Sequence, residues 1–361
     1  MKSSSIYIKR IMILTLATLL VGFVISCDQT STSIPTDSPS SFLDTFSSGT
    51  AIVGTDTTTI WEETTTTVLT TFTTITTPPI IDIEFDYLGN TLPTNQIIRF
   101  EMTNANQTWF WNGPPVFSPN GTEVYWARIV SSWEETEIWY SQKINGLWTN
   151  GRKLVINGIN GYSCCPVFTS NADEMYFMNV SLSGTRRIYK VTKIAGIWSN
   201  PQSLDISIPT GNDMEWRFSV ADSKNIYISL ISTSGLEQPK LYFIKYDNGE
   251  YNTPEYINAL NQIGYSSSSP YIAVDESYII FQSNRSSTWG YLDIFVSFKN
   301  GDGDFMTPIN LGRQVNSTEE ETSAIVSADG KYLFFTTVKT NDSFYAPYWI
   351  ELDELPAFMY R

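Results

Sequence analysis

One phrase recurs five times along this chain. Pro115-Val116-Phe117-Ser118-Pro119-Asn120-Gly121 runs into Glu123-Val124-Tyr125-Trp126, and Pro166-Val167-Phe168-Thr169 runs into Glu174-Met175-Tyr176-Phe177. Trp216-Arg217-Phe218-Ser219 leads to Asn225-Ile226-Tyr227-Ile228, and Pro270-Tyr271-Ile272-Ala273 leads to Tyr278-Ile279-Ile280-Phe281. Ser323-Ala324-Ile325-Val326 leads to Tyr332-Leu333-Phe334-Phe335. Counted from Phe117, Phe168, Phe218, Ile272 and Ile325, the steps are 51, 50, 54 and 53 residues. A fixed period of this length means one supersecondary unit repeated.

Each phrase reads as two short strands around a polar turn. Asn120-Gly121 and Asp329-Gly330 supply the positive φ that a tight hairpin needs. The second strand is aromatic-rich, as strands prefer. A second signature follows the first four phrases: Glu137–Ser141 before Asn145-Gly146-Leu147-Trp148, Arg187–Val191 before Ala195-Gly196-Ile197-Trp198, Lys240–Ile244 before Asn248-Gly249-Glu250-Tyr251, and Asp293–Ser297 before Asn300-Gly301-Asp302-Gly303-Asp304-Phe305. These read as a third strand, a hairpin and an aromatic opening a fourth strand. Trp148, Trp198, Tyr251 and Phe305 recur in register, which assigns them to packing between units. A short piece ends each unit, at Leu154, Leu204, Ile257 and Leu311. Four strands per period is the blade of a β-propeller. No apolar pattern of helical period occurs after residue 80, so the fold class is all-β.

The last unit stops at its third strand, Tyr348–Leu352. Upstream of the first lies the unassigned apolar segment Gln96-Ile97-Ile98-Arg99-Phe100, which is expected to supply the missing outer strand and close the ring. Closure removes an edge that invites aggregation. The count is five blades, or six if residues 81–113 hold more than one strand.

These phrases resemble the TolB-like (WD-repeat-like) β-propeller family, whose units read Pro-x-aromatic-Ser-x-Asp-Gly-x-x-Leu-Tyr-Phe. The resemblance covers roughly residues 82–361 and is closest at 115–126, 269–281 and 323–335. More specifically, the chain is similar to exported lipoproteins carrying such repeats. The resemblance implies a binding platform, commonly with six blades; the count here is five.

Before the repeats, Lys2, Lys9 and Arg10 precede an apolar run from Ile11 to Ile25. Fifteen residues are short for a membrane span, which needs ~20, and fit a secretory signal. The run ends in Val24-Ile25-Ser26-Cys27, which resembles the bacterial lipobox. That resemblance implies cleavage before Cys27 and lipid on its sulfur, a stable anchor when several chains are attached. Residues 28 to about 79 are dominated by Thr and Ser with Pro35, Pro39, Pro78 and Pro79, a composition that cannot bury enough apolar surface to order itself. The expected organisation is therefore a signal peptide over 1–26, a lipidated Cys and Thr/Ser/Pro-rich tether over 27–80, and a propeller over 81–361. The protein would sit outside the cytoplasm, on the inner or outer membrane of a bacterial envelope, as a monomer.

The formal charge of −15 argues against nucleic acid and against direct adsorption to anionic lipid. There is no His, which removes Ser-His-Asp and Cys-His devices and every His-based metal site. Asn300–Asp304 faintly resembles a calcium loop but has Leu311 where the closing Glu belongs, so it reads as a turn. No cofactor or metal is expected. The adjacent Cys164 and Cys165 read as small half-buried thiols at a strand start, with a strained vicinal disulfide as the alternative. A carboxylate pair of glycosidase type could come from Asp213, Glu215 and Asp293, with Glu101 as an outlier.

Strand order sets the short hairpins on one face. The loops between second and third strands, and those leading into each blade, fall on the other. That second face collects Trp109, Trp111, Trp133, Tyr162, Trp289 and Tyr345 among Glu134, Glu135, Asp213, Glu319, Glu320 and Glu321. Aromatics set among acids suit a glycan or a cationic protein segment. The expectation is a non-catalytic module that binds an envelope protein or glycan; a carbohydrate-active enzyme on the same ring is the alternative.

Overall fold

The computed structural model describes residues 85–102, 113–130, 135–339 and 345–359, all within the compact unit Thr77–Arg361. The expected signal segment, lipidated Cys27 and tether lie outside the described residues. Five antiparallel sheets account for the repeats and are arranged radially as five blades. The first blade runs Val116–Phe117, Glu123–Ile129, Thr136–Ile144 and then Arg152–Lys153, each pairing with the one before.

The fourth strand differs from the sequence reading. Leu147–Trp148 folds back on the tip of the third strand as a ribbon, and Arg152–Lys153 pairs separately with the same strand further down. The aromatic therefore belongs to the ribbon and the terminal piece to the sheet. Blade two repeats this with Ile197–Trp198 and Gln202–Ser203. Blades three and four place Glu255–Tyr256 and Ile309–Asn310 as their outer strands.

The fifth blade takes its outer strand from the other end of the chain. Ile98–Arg99 pairs antiparallel with Ala346–Glu351, setting Ile98 opposite Trp349 and Arg99 opposite Tyr348. Phe100 adds a backbone bond to the Pro347 carbonyl at 2.9 Å. Ring closure by the Gln96–Phe100 segment is thus observed, and residues 85–102 hold no second strand, so the count is five.

Register shifts two of the repeat positions. Phe117, Phe168 and Ile272 each sit opposite a residue seven places on, at Val124, Met175 and Ile279. In blades three and five the equivalent residues are Val220, opposite Ile226, and Val326, opposite Leu333. The third hairpin is one residue shorter, which displaced the alignment where the phrase lacks its Pro and Gly. Inner strands of blades two to five also carry a bulge, between Cys164 and Val167, Met214 and Phe218, Ser268 and Tyr271, and Thr322 and Ile325. Cys165, Ser269 and Ser323 occupy left-handed φ of 56°, 50° and 59° there. A bulge of this kind re-aims side chains locally.

The core is five separate layers, one between each pair of neighbouring blades. Alternation along the second strand builds them. In Val124-Tyr125-Trp126, Val124 and Trp126 face the fifth blade while Tyr125 faces the second. Tyr176, Tyr227, Ile280 and Phe334 hold the same forward-facing place in the other blades. The ribbon aromatics pack backward, as expected. Trp198 meets Tyr125 and Phe168, and Phe305 meets Tyr227 edge-on with centroids 6.1 Å apart. Trp148 meets Phe117 at 6.1 Å and donates to Asp86 at 2.5 Å. Among the described residues blade five has no such ribbon. Phe358 fills its place, edge-on to Tyr278 at 5.3 Å and to Phe298 at 5.4 Å.

Candidate functional site

The inner strands leave a central channel of about 450 Å³. Its wall is the repeated phrase itself: Pro166, Pro270, Tyr271 and Ile325 line it with Arg217 and Cys165. Exposed turn residues Ser170, Asp275, Ala328 and Gly330 stand at one end, so the channel reaches solvent on the face of the short hairpins. Arg217 belongs to blade three, yet its guanidinium lies directly over Gly113 leading into blade one. A Cβ at Gly113 would meet Nη2 at 1.5 Å, and φ there is +138°. The close approach requires the glycine. Neither Arg217 nor the channel stood out in the sequence; the available signal was the Pro-x-aromatic strand, which must be innermost because it opens every unit.

On the opposite face the structure shows what the predicted residues touch. Tyr162, leading into blade two, is hydrogen-bonded to Glu135 of the preceding blade, and that bond raises the phenol's pKa. Asp213, leading into blade three, pairs with Arg186 of blade two at 2.6 Å. Tyr345 donates to Glu320. Gly290 approaches the Glu319 carbonyl so closely that a Cβ would stand 1.8 Å from it. In blades one, two and four the loop thus clasps the start of the next blade, while Tyr345 and Glu320 tie two ends of blade five together. Trp289 is 44% exposed and carries the Arg313 guanidinium 4.0 Å above its ring. The structure brings Tyr162 to Glu135 and Asp213 to Arg186, but it does not gather all the predicted residues into one pocket. Trp109, Trp111, Trp133 and Glu134 lie outside the described residues.

The carboxylates are mostly occupied. Asp293 is fully buried and accepts from the backbone N–H of Trp289 at 2.9 Å and of Gly290 at 3.1 Å, and from the Asn310 amide at 2.7 Å. It is a turn cap. Glu101 pairs with Arg99 at 3.5 Å on the surface. Glu215 differs: burial raises its pKa, Asp213 adds to that, and Arg186 opposes. Arg186 also covers the Trp216 ring at 4.5 Å. Asn300 accepts from the N–H groups of Asp302 and Asp304 and so closes its own turn, as the sequence reading expected. Among the described residues no three Cys, Asp or Glu side chains converge to hold a metal ion. Cys164 and Cys165 are both thiols and more buried than the sequence suggested, at 0% and 3% exposure, because the bulge turns both inward.

This is a five-bladed β-propeller. No protein-family model matches the sequence, and no curated protein does. Among solved structures it is similar to a candidate TolB from Agrobacterium tumefaciens, at 13% identity and a TM-score of 0.44 over 68% of this chain and 78% of that one. It is similar to TolB from Acinetobacter baumannii at 14% identity and a TM-score of 0.39, over 66% of this chain and 54%, about half, of that one. It is similar to α-L-arabinanase from Penicillium chrysogenum at 13% identity and a TM-score of 0.43, over 68% and 78%. Likeness at this level says nothing about activity.

Proposed function

We propose that this protein is a lipid-anchored binding module of a bacterial envelope, in which the propeller presents a protein- or glycan-binding surface and catalyses nothing. The observation that carries this reading is the employment of the carboxylates. Asp293 caps a turn, Asp213 is held by Arg186, and Asp275 at the channel mouth accepts from Ser277 of its own turn at 2.6 Å. An acid–base pair needs two carboxyls facing a substrate across several Å, and the described channel wall offers none. Trp289 is half exposed with the Arg313 guanidinium over one face of its ring, so the pair offers an indole and a cation together, the chemistry that holds a sugar ring or an acidic peptide. The test is to incubate the full chain with a polysaccharide array and with envelope extract. Retention without release of reducing sugar is expected, weakened at least tenfold by Trp289→Ala.

One observation favours a second reading. Glu215 is a carboxyl with a raised pKa two residues from the ion-paired Asp213, which resembles the division between an acid and an ionised partner. Hydrolysis of any polysaccharide that Glu215→Gln abolishes would establish a glycosidase and overturn the binding-only proposal.

A further inference from the structure

In a regular strand, neighbouring side chains point to opposite faces, which keeps the sulfurs of adjacent cysteines apart. Cys164 and Cys165 break this rule. The bulge after Cys164 and the left-handed φ of +56° at Cys165 bring the two Sγ atoms to 3.1 Å. Cys165 also forms part of the channel wall, and the channel reaches solvent. Blades four and five have the same bulge with Ser268-Ser269 and Thr322-Ser323 in these places. Short hydroxyl side chains therefore satisfy the backbone, and the fold does not demand two thiols in blade two.

We propose that Cys164 and Cys165 form a vicinal dithiol that is oxidised as a unit to a disulfide by a small-molecule disulfide entering the channel. The Cys165 thiolate attacks one sulfur of the reagent R–S–S–R, giving Cys165–S–S–R and one R–S⁻. The Cys164 thiolate then attacks the Cys165 sulfur, forming the Cys164–Cys165 bond and releasing the second R–S⁻. Two thiols lose two protons and two electrons, and the reagent is reduced to two thiols. The order of attack follows the surroundings. The contact with Cys164 and the Arg217 guanidinium hold the Cys165 thiol below its ordinary pKa against the effect of burial, while the same contact and burial push Cys164 up. Reduced Cys165 donates to the Trp216 carbonyl at 2.7 Å, a bond from blade two to blade three. Oxidation removes that donor.

The experiment treats the native full chain with hydroxyethyl disulfide, quenches with acid and weighs the tryptic peptide spanning residues 154–186, which contains both cysteines and excludes Cys27. Loss of two hydrogens without adduct, reversed by dithiothreitol, is expected. Cys164→Ser should stall as a mixed disulfide on Cys165, and Cys165→Ser should remain unmodified over the same time. Both variants place serine where blades four and five already carry serine or threonine, and circular dichroism checks that they fold. A persistent adduct on the unaltered chain, or thiols that react only in denaturant, would overturn the proposal.

Discussion

Buried tyrosines and carboxylates recur as a clasp on the hairpin face. Tyr125 donates to Glu123 at 2.8 Å, Tyr176 to Glu174 at 2.5 Å, Tyr227 to Glu276 at 2.5 Å, and Tyr87 to Asp329 at 2.6 Å. Burial raises each phenol's pKa far above its ordinary value, and the carboxylate adds to that. Glu276 is the most heavily bonded: burial alone would raise its pKa, but Ser223, Tyr227, Lys299 and Asn225 outweigh it and hold the carboxyl at about 2. Its ionised form therefore stabilises the fold above pH ~4.5, and that contribution drains as pH falls toward ~2. The side chain is 14% exposed, so the shift corresponds to about 3 kcal/mol at neutral pH. Glu276→Gln keeps the shape and the +62° backbone. Denaturant unfolding should show it less stable by that order at pH 7, with the gap shrinking to roughly half by pH 3. An unchanged gap would place the stabilisation elsewhere.

At the scale of elements, each interface is filled from behind by an aromatic of the following blade, and the chain ends supply what the last repeat lacks. Phe358 belongs to a short C-terminal stretch after the turn Leu352–Glu354 and is 2% exposed. Phe358→Ala should cost about 3–5 kcal/mol, read as a fall in the thermal midpoint, because it empties the layer between blades four and five. At the opposite seam, Tyr87 and Phe100 pack on Trp349 with centroids 5.2 Å away. Deleting residues 85–102 should bare the Ala346–Glu351 edge and yield oligomers on size-exclusion chromatography; a stable monomer would show that the edge is protected otherwise.

For the whole molecule, the layers couple the blades only to their neighbours, so closing the ring is what turns a row of five units into one body. The proposed attachment is a single residue, Cys27, upstream of that body in the sequence. Expressed in a bacterial host with its own signal, the chain should partition into detergent on Triton X-114 separation. Cys27→Ser should move it to the aqueous phase with the propeller intact, and partition unchanged by that substitution would dismiss the lipid anchor.

The amino-acid order alone determined the repeat, the four-strand unit, the inward packing of Trp148, Trp198, Tyr251 and Phe305, and closure through Gln96–Phe100. These follow from periodicity and from apolar residues that need a partner, both local properties. It did not reveal that Tyr162, Asp213 and Tyr345 clasp Glu135, Arg186 and Glu320, because those bonds join residues distant along the chain, whose meeting depends on how the sheets twist around the axis. The same holds for Arg217 over Gly113 and for the register at Val220 and Val326. Only the tertiary structure decided that Cys164 and Cys165 face the same way: strand alternation would have parted them, and one bulged residue with left-handed backbone brought them together.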